Sequence, residues 1–170
     1  MKNYKQFLEN LGSGAYASFA NDSGENFWGN VGGGVLPICT ETKRILLPFR
    51  SGYVNEPHCF GVWGGKIDEE YGQTEDDIMD VVKREFMEES GYDSEIKLIP
   101  AYIFKTSNNS FTYYNFIGLL DEEFDPELNW ETESYKWVTF DEMIEIKPKH
   151  FGLVGLLKHD SNKIRNYCNA

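Results

Sequence analysis

Few residues of this chain could serve a disulfide framework, a metal-binding thiol cluster or a nucleic-acid groove. The three cysteines, Cys39, Cys59 and Cys168, are odd in number and have no C-x-x-C spacing. That excludes a disulfide scaffold and a zinc site, and it leads to the expectation of a reducing, cytoplasmic setting. Basic residues are scarce, with 16 Lys and Arg against 28 Asp and Glu and a formal net charge of -12. No basic face is available to follow a long nucleic-acid backbone. No apolar run approaches the roughly 18–20 residues of a membrane span. The first residues, Met1 to Leu8, lack the continuous apolar core of a signal peptide.

What is abundant is apolar and aromatic. The 170 residues are 41% hydrophobic and 15% aromatic, enough for one folded domain with a full core. Residues 1–30 read as an N-terminal arm, with a short helix near Tyr4 to Leu11 and then a Gly-, Ser- and Asn-rich stretch. Residues 31–145 read as the core and 146–170 as a C-terminal helix and tail. Strands are expected from Gly32 to Cys39 (with Pro37 favouring an edge or a bulge), Arg44 to Arg50 and Cys59 to Trp63, the last feeding a Gly64-Gly65-Lys66 turn. Further strands are expected over Ile96 to Thr106 and Phe111 to Leu120, joined as a hairpin, and over Ser134 to Phe140. Short helices are expected from Asp141 and over Phe151 to Lys158. The class is α/β (α+β), a mixed sheet covered by helices.

Between these strands the period changes. Thr74 with Asp77 three residues on is a helix N-cap followed by an acidic first turn. Ile78, Val82 and Phe86 form a buried stripe with the acidic residues expected on the other side. Gly91 should close a helix over residues 75–90. On it Glu85, Glu88 and Glu89 stand at i, i+3, i+4, one turn apart on one side. Like charges so placed repel, and a hard divalent cation, which takes oxygen ligands, is the natural partner.

Gly65 and the run Arg84-Glu85-Phe86-Met87-Glu88-Glu89-Ser90-Gly91-Tyr92 resemble the signature box of the Nudix hydrolases, G-x5-E-x7-R-E-U-x-E-E-x-G-U, with U a bulky apolar residue. The half R-E-U-x-E-E-x-G fits at every fixed position. The resemblance covers roughly Val31 to Met143. Gly65 and Arg84 stand five residues further apart than the box allows, so Glu69, Glu70, Glu75 and Asp76 each compete for the place of its first glutamate. The extra residues read as a longer loop plus about one helical turn.

The resemblance implies a Nudix-like α/β/α sandwich with a mixed β-sheet and a central catalytic loop-helix-loop. It implies a pyrophosphohydrolase using Mg²⁺ or Mn²⁺, acting on a small nucleotide substrate by water attack on phosphorus. Glu88 and Glu89 would be the principal metal ligands, Glu85 a further ligand or the base, and the Gly65 carbonyl another ligand. Arg84 would orient a glutamate by a charge-assisted hydrogen bond. The general base is assigned by position to Glu131, ahead of Glu133 and the run Asp121-Glu122-Glu123. Arg50 and Lys66 are the candidate contacts to a substrate phosphate. Trp63 and Trp137 are read as packing residues. Tyr113 and Tyr114 point to opposite faces of one strand, so at most one meets a ligand. His58, His150 and His159 receive no chemistry. No membrane or long nucleic-acid partner is expected, and a homodimer is allowed. Two rival readings stand: a Nudix-fold sensor that binds without turnover, and an isomerase of allylic diphosphates built on Cys59.

Overall fold

A computed structural model describes residues 31–67, 74–108 and 110–169. The expected N-terminal arm and the positions Glu69 and Glu70 lie outside the described residues. The described chain runs β1 (Val31–Cys39), β2 (Ile45–Arg50), β3 (Trp63–Ile67), α1 (Glu75–Ser90), β4 (Lys97–Lys105), β5 (Thr112–Leu120), β6 (Thr132–Val138), α2 (Phe140–Glu145) and α3 (Phe151–Asn169).

The sheet is mixed, in the order β4-β5-β1-β2-β6, with β3 also paired to β1. Strand β1 is therefore central, and the expectation that Pro37 marks an edge fails. Parallel β5 lies along its whole length on one side. On the other side antiparallel β3 ends at Val35↔Trp63 and β2 begins at Ile38↔Ile45. Pro37 occupies the seam between the two partners, where a missing N–H does least harm.

Alternation along the strands divides the core in two. Val35, Leu46 and Phe116 face α1 and pack with Ile78, Val82 and Phe86. Leu36, Ile45, Leu47 and Ile117 face the other way and pack with Met143, Leu153, Leu156 and Ile164 of α2 and α3. The result is an α/β/α sandwich. Helix α3 continues past the expected end at Lys158 because Ile164 and Cys168 prolong its buried stripe. Asp160 (φ -124°) kinks it on the way. Ile146, Leu153, Leu156, Leu157, Ile164 and Cys168 thus join the second core.

The expected strand Cys59 to Trp63 with its Gly-Gly-Lys turn is corrected. Phe60 makes only isolated bridges, to Phe49 and Lys149, and the strand is Trp63–Ile67, with Gly64 and Gly65 inside it. These glycines lie opposite Gly34 and Gly33 of β1. Gly64 has φ +141°, and a Cβ there would run into the Gly33 carbonyl. Close backbone approach, invisible to local propensity, makes this a strand.

Candidate active site

Helix α1 has the expected limits because both ends are specified locally. Thr74 Oγ1 accepts from the Asp77 N–H (3.2 Å), and the Asp77 carboxylate accepts from the Thr74 N–H (3.1 Å), a complete capping box. At the other end Gly91 is left-handed (φ +71°), and its N–H donates to the Met87 carbonyl (2.8 Å). Glu75 and Asp76 lie exposed in the first turn.

The three glutamates meet different environments. Glu88 is exposed, and its carboxylate is 3.9 Å from Arg84 Nε, a loose surface pair. Glu85 is half-buried. Glu89 is 5% exposed, which corrects the expectation that all acidic residues face away from the core. It follows Phe86 by three residues and Val82 by seven, so it continues the buried stripe. Its Oε2 accepts from the Gly64 N–H of β3 (3.2 Å).

Burial drives the Glu89 carboxyl well above the usual range, and the neighbouring Glu131 and Glu85 carboxylates push it the same way. The Gly64 hydrogen bond and the Arg50 guanidinium oppose them. Glu131 is also raised, by burial first, with Arg50 opposing and Glu88 adding to the rise. The fold thus brings Glu85, Glu88, Glu89, Glu131 and Arg50 into one electrostatic neighbourhood. Glu131 reaches it because Ser51 is tied to the loop before β6: the Ser51 N–H donates to the Glu131 carbonyl (2.9 Å) and its hydroxyl to the Trp130 carbonyl (2.8 Å).

Arg50, at the end of β2, is braced by its own loop. Its Nε donates to the Glu56 carbonyl (3.0 Å) and its Nη2 to the Asn55 carbonyl. Lys66 is exposed on β3, opposite Gly32. Two earlier candidates lie elsewhere. Glu133 is exposed and pairs with His58 (3.4 Å). Glu123 is held by both Arg44 Nε (2.7 Å) and Nη2 (2.5 Å), beyond the far end of β5, so the acidic run is a surface brace. Burial pushes the Cys59 thiol up, and its Sγ donates to the Glu56 carbonyl (3.2 Å). That is the reverse of an activated thiolate, so the isomerase reading loses its one support.

Three further residues belong here: one of a pair that the sequence left undecided, and two that it passed over. Tyr113 is the tyrosine that faces it, while Tyr114 packs on the α1 side. Burial raises the Tyr113 phenol, and Glu89 adds to the rise. His150 stands before the first residue of α3, held there because its N–H donates to the Phe60 carbonyl (2.7 Å). Its Nδ1 accepts from the Gly152 N–H (3.1 Å), which leaves the proton on Nε2. Burial first, and then Arg50, lower the imidazole to about 3. Asn115 is the third, buried on β5. No sequence signal marks His150 or Asn115, since contacts distant along the chain create their settings.

The donor set is all carboxylate oxygen, and it fits a hard divalent cation in kind. Among the described residues no three acidic, His or Cys side chains are already gathered at ligand distance. Also among the described residues, no helix is long and apolar enough to cross a membrane.

Comparison with known proteins agrees with this geometry. None of the curated proteins matches the sequence. A Nudix hydrolase from M. smegmatis, RenU, superposes with a TM-score of 0.64 at 18% identity, covering 87% of this chain and 91% of that one. A C. elegans Ap4A hydrolase in a binary complex gives 0.60 at 18% identity, covering 79% and 98%. The NUDIX domain of Shewanella oneidensis NrtR, complexed with ADP ribose, gives 0.59 at 14% identity, covering 92% and 97%. At these identities the structures show the fold. The NUDIX domain family model matches residues 30–159, and the expectation of a Nudix-type pyrophosphohydrolase is borne out at the level of the family. The chain belongs to the NUDIX domain family.

Proposed function

We propose that the protein is a metal-dependent hydrolase that cleaves the pyrophosphate bond of a nucleoside diphosphate linked to another group. The observation that carries this reading is Glu89: buried, held by the Gly64 N–H, and crowded by the Glu131 and Glu85 carboxylates opposite Arg50. Nudix hydrolases generally use divalent metal ions, and here Glu88 and Glu89, with Glu85 and the Gly65 carbonyl, would hold Mg²⁺ or Mn²⁺. Such an ion supplies charge neutralisation at the phosphoryl oxygens and lowers the pKa of a water.

The chain's own residues do the rest. Arg50 and Lys66 bind the diphosphate, Arg50 in an orientation its loop carbonyls have already set. Glu131 takes the proton of the attacking water, a role that its raised carboxyl suits. Arg84 steadies Glu88. Gly64 fixes Glu89 through its N–H. The three free, buried cysteines accord with a cytoplasmic location.

Substrate choice is not written in the fold. The relatives crystallised as an Ap4A hydrolase and with ADP ribose make dinucleoside polyphosphates and ADP-ribose the first compounds to test. The sensor reading draws on the stretched first half of the box. One experiment separates the two: a panel of nucleoside diphosphate derivatives with Mg²⁺ or Mn²⁺, products identified by mass. The expected result is a nucleoside monophosphate and a second phosphorylated product, abolished by excess chelator. Binding without products would establish the sensor, and hydrolysis persisting in chelator would overturn the mechanism.

A further inference from the structure

Among the described residues, only two buried side-chain polar atoms have no hydrogen-bond partner: Asn115 Oδ1 and His150 Nε2. Asn115 is 4% exposed. An orphaned acceptor so deep destabilises the fold, and a leucine of similar size would avoid that cost. Yet the surroundings hold this amide in one orientation. Its Nδ2 donates to the Tyr102 carbonyl (2.9 Å), which leaves Oδ1 as the free end. The β4–β5 register shifts between Pro100 and Ile103, around Tyr102. The Tyr102 N–H donates instead to the Asp160 carboxylate (2.6 Å), at the kink of α3. A bulge, a helix kink and a buried amide thus combine to present one unanswered acceptor.

Its position connects it to the active site. Asn115 and Tyr113 are two residues apart on β5, on the same sheet face and about 7 Å from each other along the strand. The Tyr113 hydroxyl lies against Gly34, Gly34 pairs with Gly64 of β3, and the Gly64 N–H donates to Glu89 (3.2 Å). Opposite Asn115 in β1 is Gly34. The Tyr113 ring lies across Gly32 and Gly34, against the places where their side chains would be. One row of residues thus leads across the sheet from Glu89 and Gly64, through Gly34 beneath the Tyr113 ring, to Asn115.

We propose that Asn115 Oδ1 is a specificity-determining acceptor that receives a hydrogen bond from the exocyclic amino group of the substrate's base. This rests on the nucleotide-hydrolase reading. A site with a buried polar group built for one partner rejects the analogue lacking it far more strongly than an apolar pocket rejects a missing methylene.

The test compares each nucleotide that the protein hydrolyses with the same nucleotide lacking its exocyclic amine. The wild type is expected to show kcat/KM at least about tenfold lower for the deamino compound. Asn115→Leu should shrink that ratio to within about twofold, with the deamino compound hydrolysed as by the wild type. Asn115→Thr, too short to reach, should behave the same and serves if the leucine variant does not fold. A wild type that does not discriminate, a ratio that survives both substitutions, or hydrolysis confined to bases without an amine would each overturn the proposal. Failure of the parent reading looks different, because then no nucleotide is hydrolysed at all.

Discussion

Glu89 is a carboxylate on the apolar stripe of a helix, and burying it has a calculable sign. Its folded pKa lies above its unfolded value, chiefly through burial and then through Glu131 and Glu85. Its contribution to stability is therefore complete below the unfolded carboxylate range and is lost as pH rises through the folded value. Glu89→Gln keeps an acceptor for the Gly64 N–H and removes the charge. The metal-free variant should melt a few degrees above the metal-free wild type at neutral pH. That advantage should vanish near pH 4, and magnesium should raise the melting temperature of the wild type alone. Calorimetry with and without chelator checks this. A variant less stable than the wild type at pH 7 without metal would show that the charge is not crowded. At this scale the sequence was half legible. The i, i+3, i+4 pattern found the glutamates, but the residue type hid the burial that Val82, Phe86 and Glu89 spell out by spacing. The tie of Glu131 to Ser51 and the setting of Asn115 arise only when distant segments meet.

The two elements that frame the site were legible to different degrees for one physical reason. Helix α1 is specified by neighbours in sequence: Thr74 with Asp77 at the start, Gly91 at the end, and a 3.6-residue stripe between. Strand β3 is specified by a partner some thirty residues away in the chain, since Gly64 and Gly65 form a strand only because Gly34 and Gly33 lie against them. Short-range propensity reads that stretch as a turn. The consequence is testable at Gly64. Its φ of +141° is strained for any L side chain, and a Cβ would strike the Gly33 carbonyl. Gly64→Ala should cost roughly 3 kcal/mol or more by urea denaturation. Gly155→Ala in α3, whose new methyl meets only Tyr102 Cε1 at 3.9 Å, should be neutral or stabilising by about 0.5–1 kcal/mol. Equal effects at the two positions would contradict the role given to the β1–β3 glycines.

Across the whole molecule, the sheet separates two jobs. On one face α1 is anchored by Ile78, Val82 and Phe86 so that its glutamates reach the edge at Gly64. On the other, α3 closes the second core and carries His150 to Arg50. A mixed sheet covered by helices was legible from the order of strand and helix patterns, whereas the full length of α3 was not, because Asp160 interrupts its pattern. The net charge of -12 fits this division. A small anionic substrate is admitted at Arg50 and Lys66 with a cation at the carboxylates, while a long polyanion finds no track. The most direct test of this account is the turnover of Glu88→Gln beside the wild type, on whichever nucleotide is cleaved fastest with Mg²⁺. Glu88 is exposed and has only a loose pair with Arg84. The account predicts a fall in kcat of about 100-fold or more, with the metal-free melting temperature unchanged within a degree or two. Hydrolysis by the variant at the wild-type rate would contradict it.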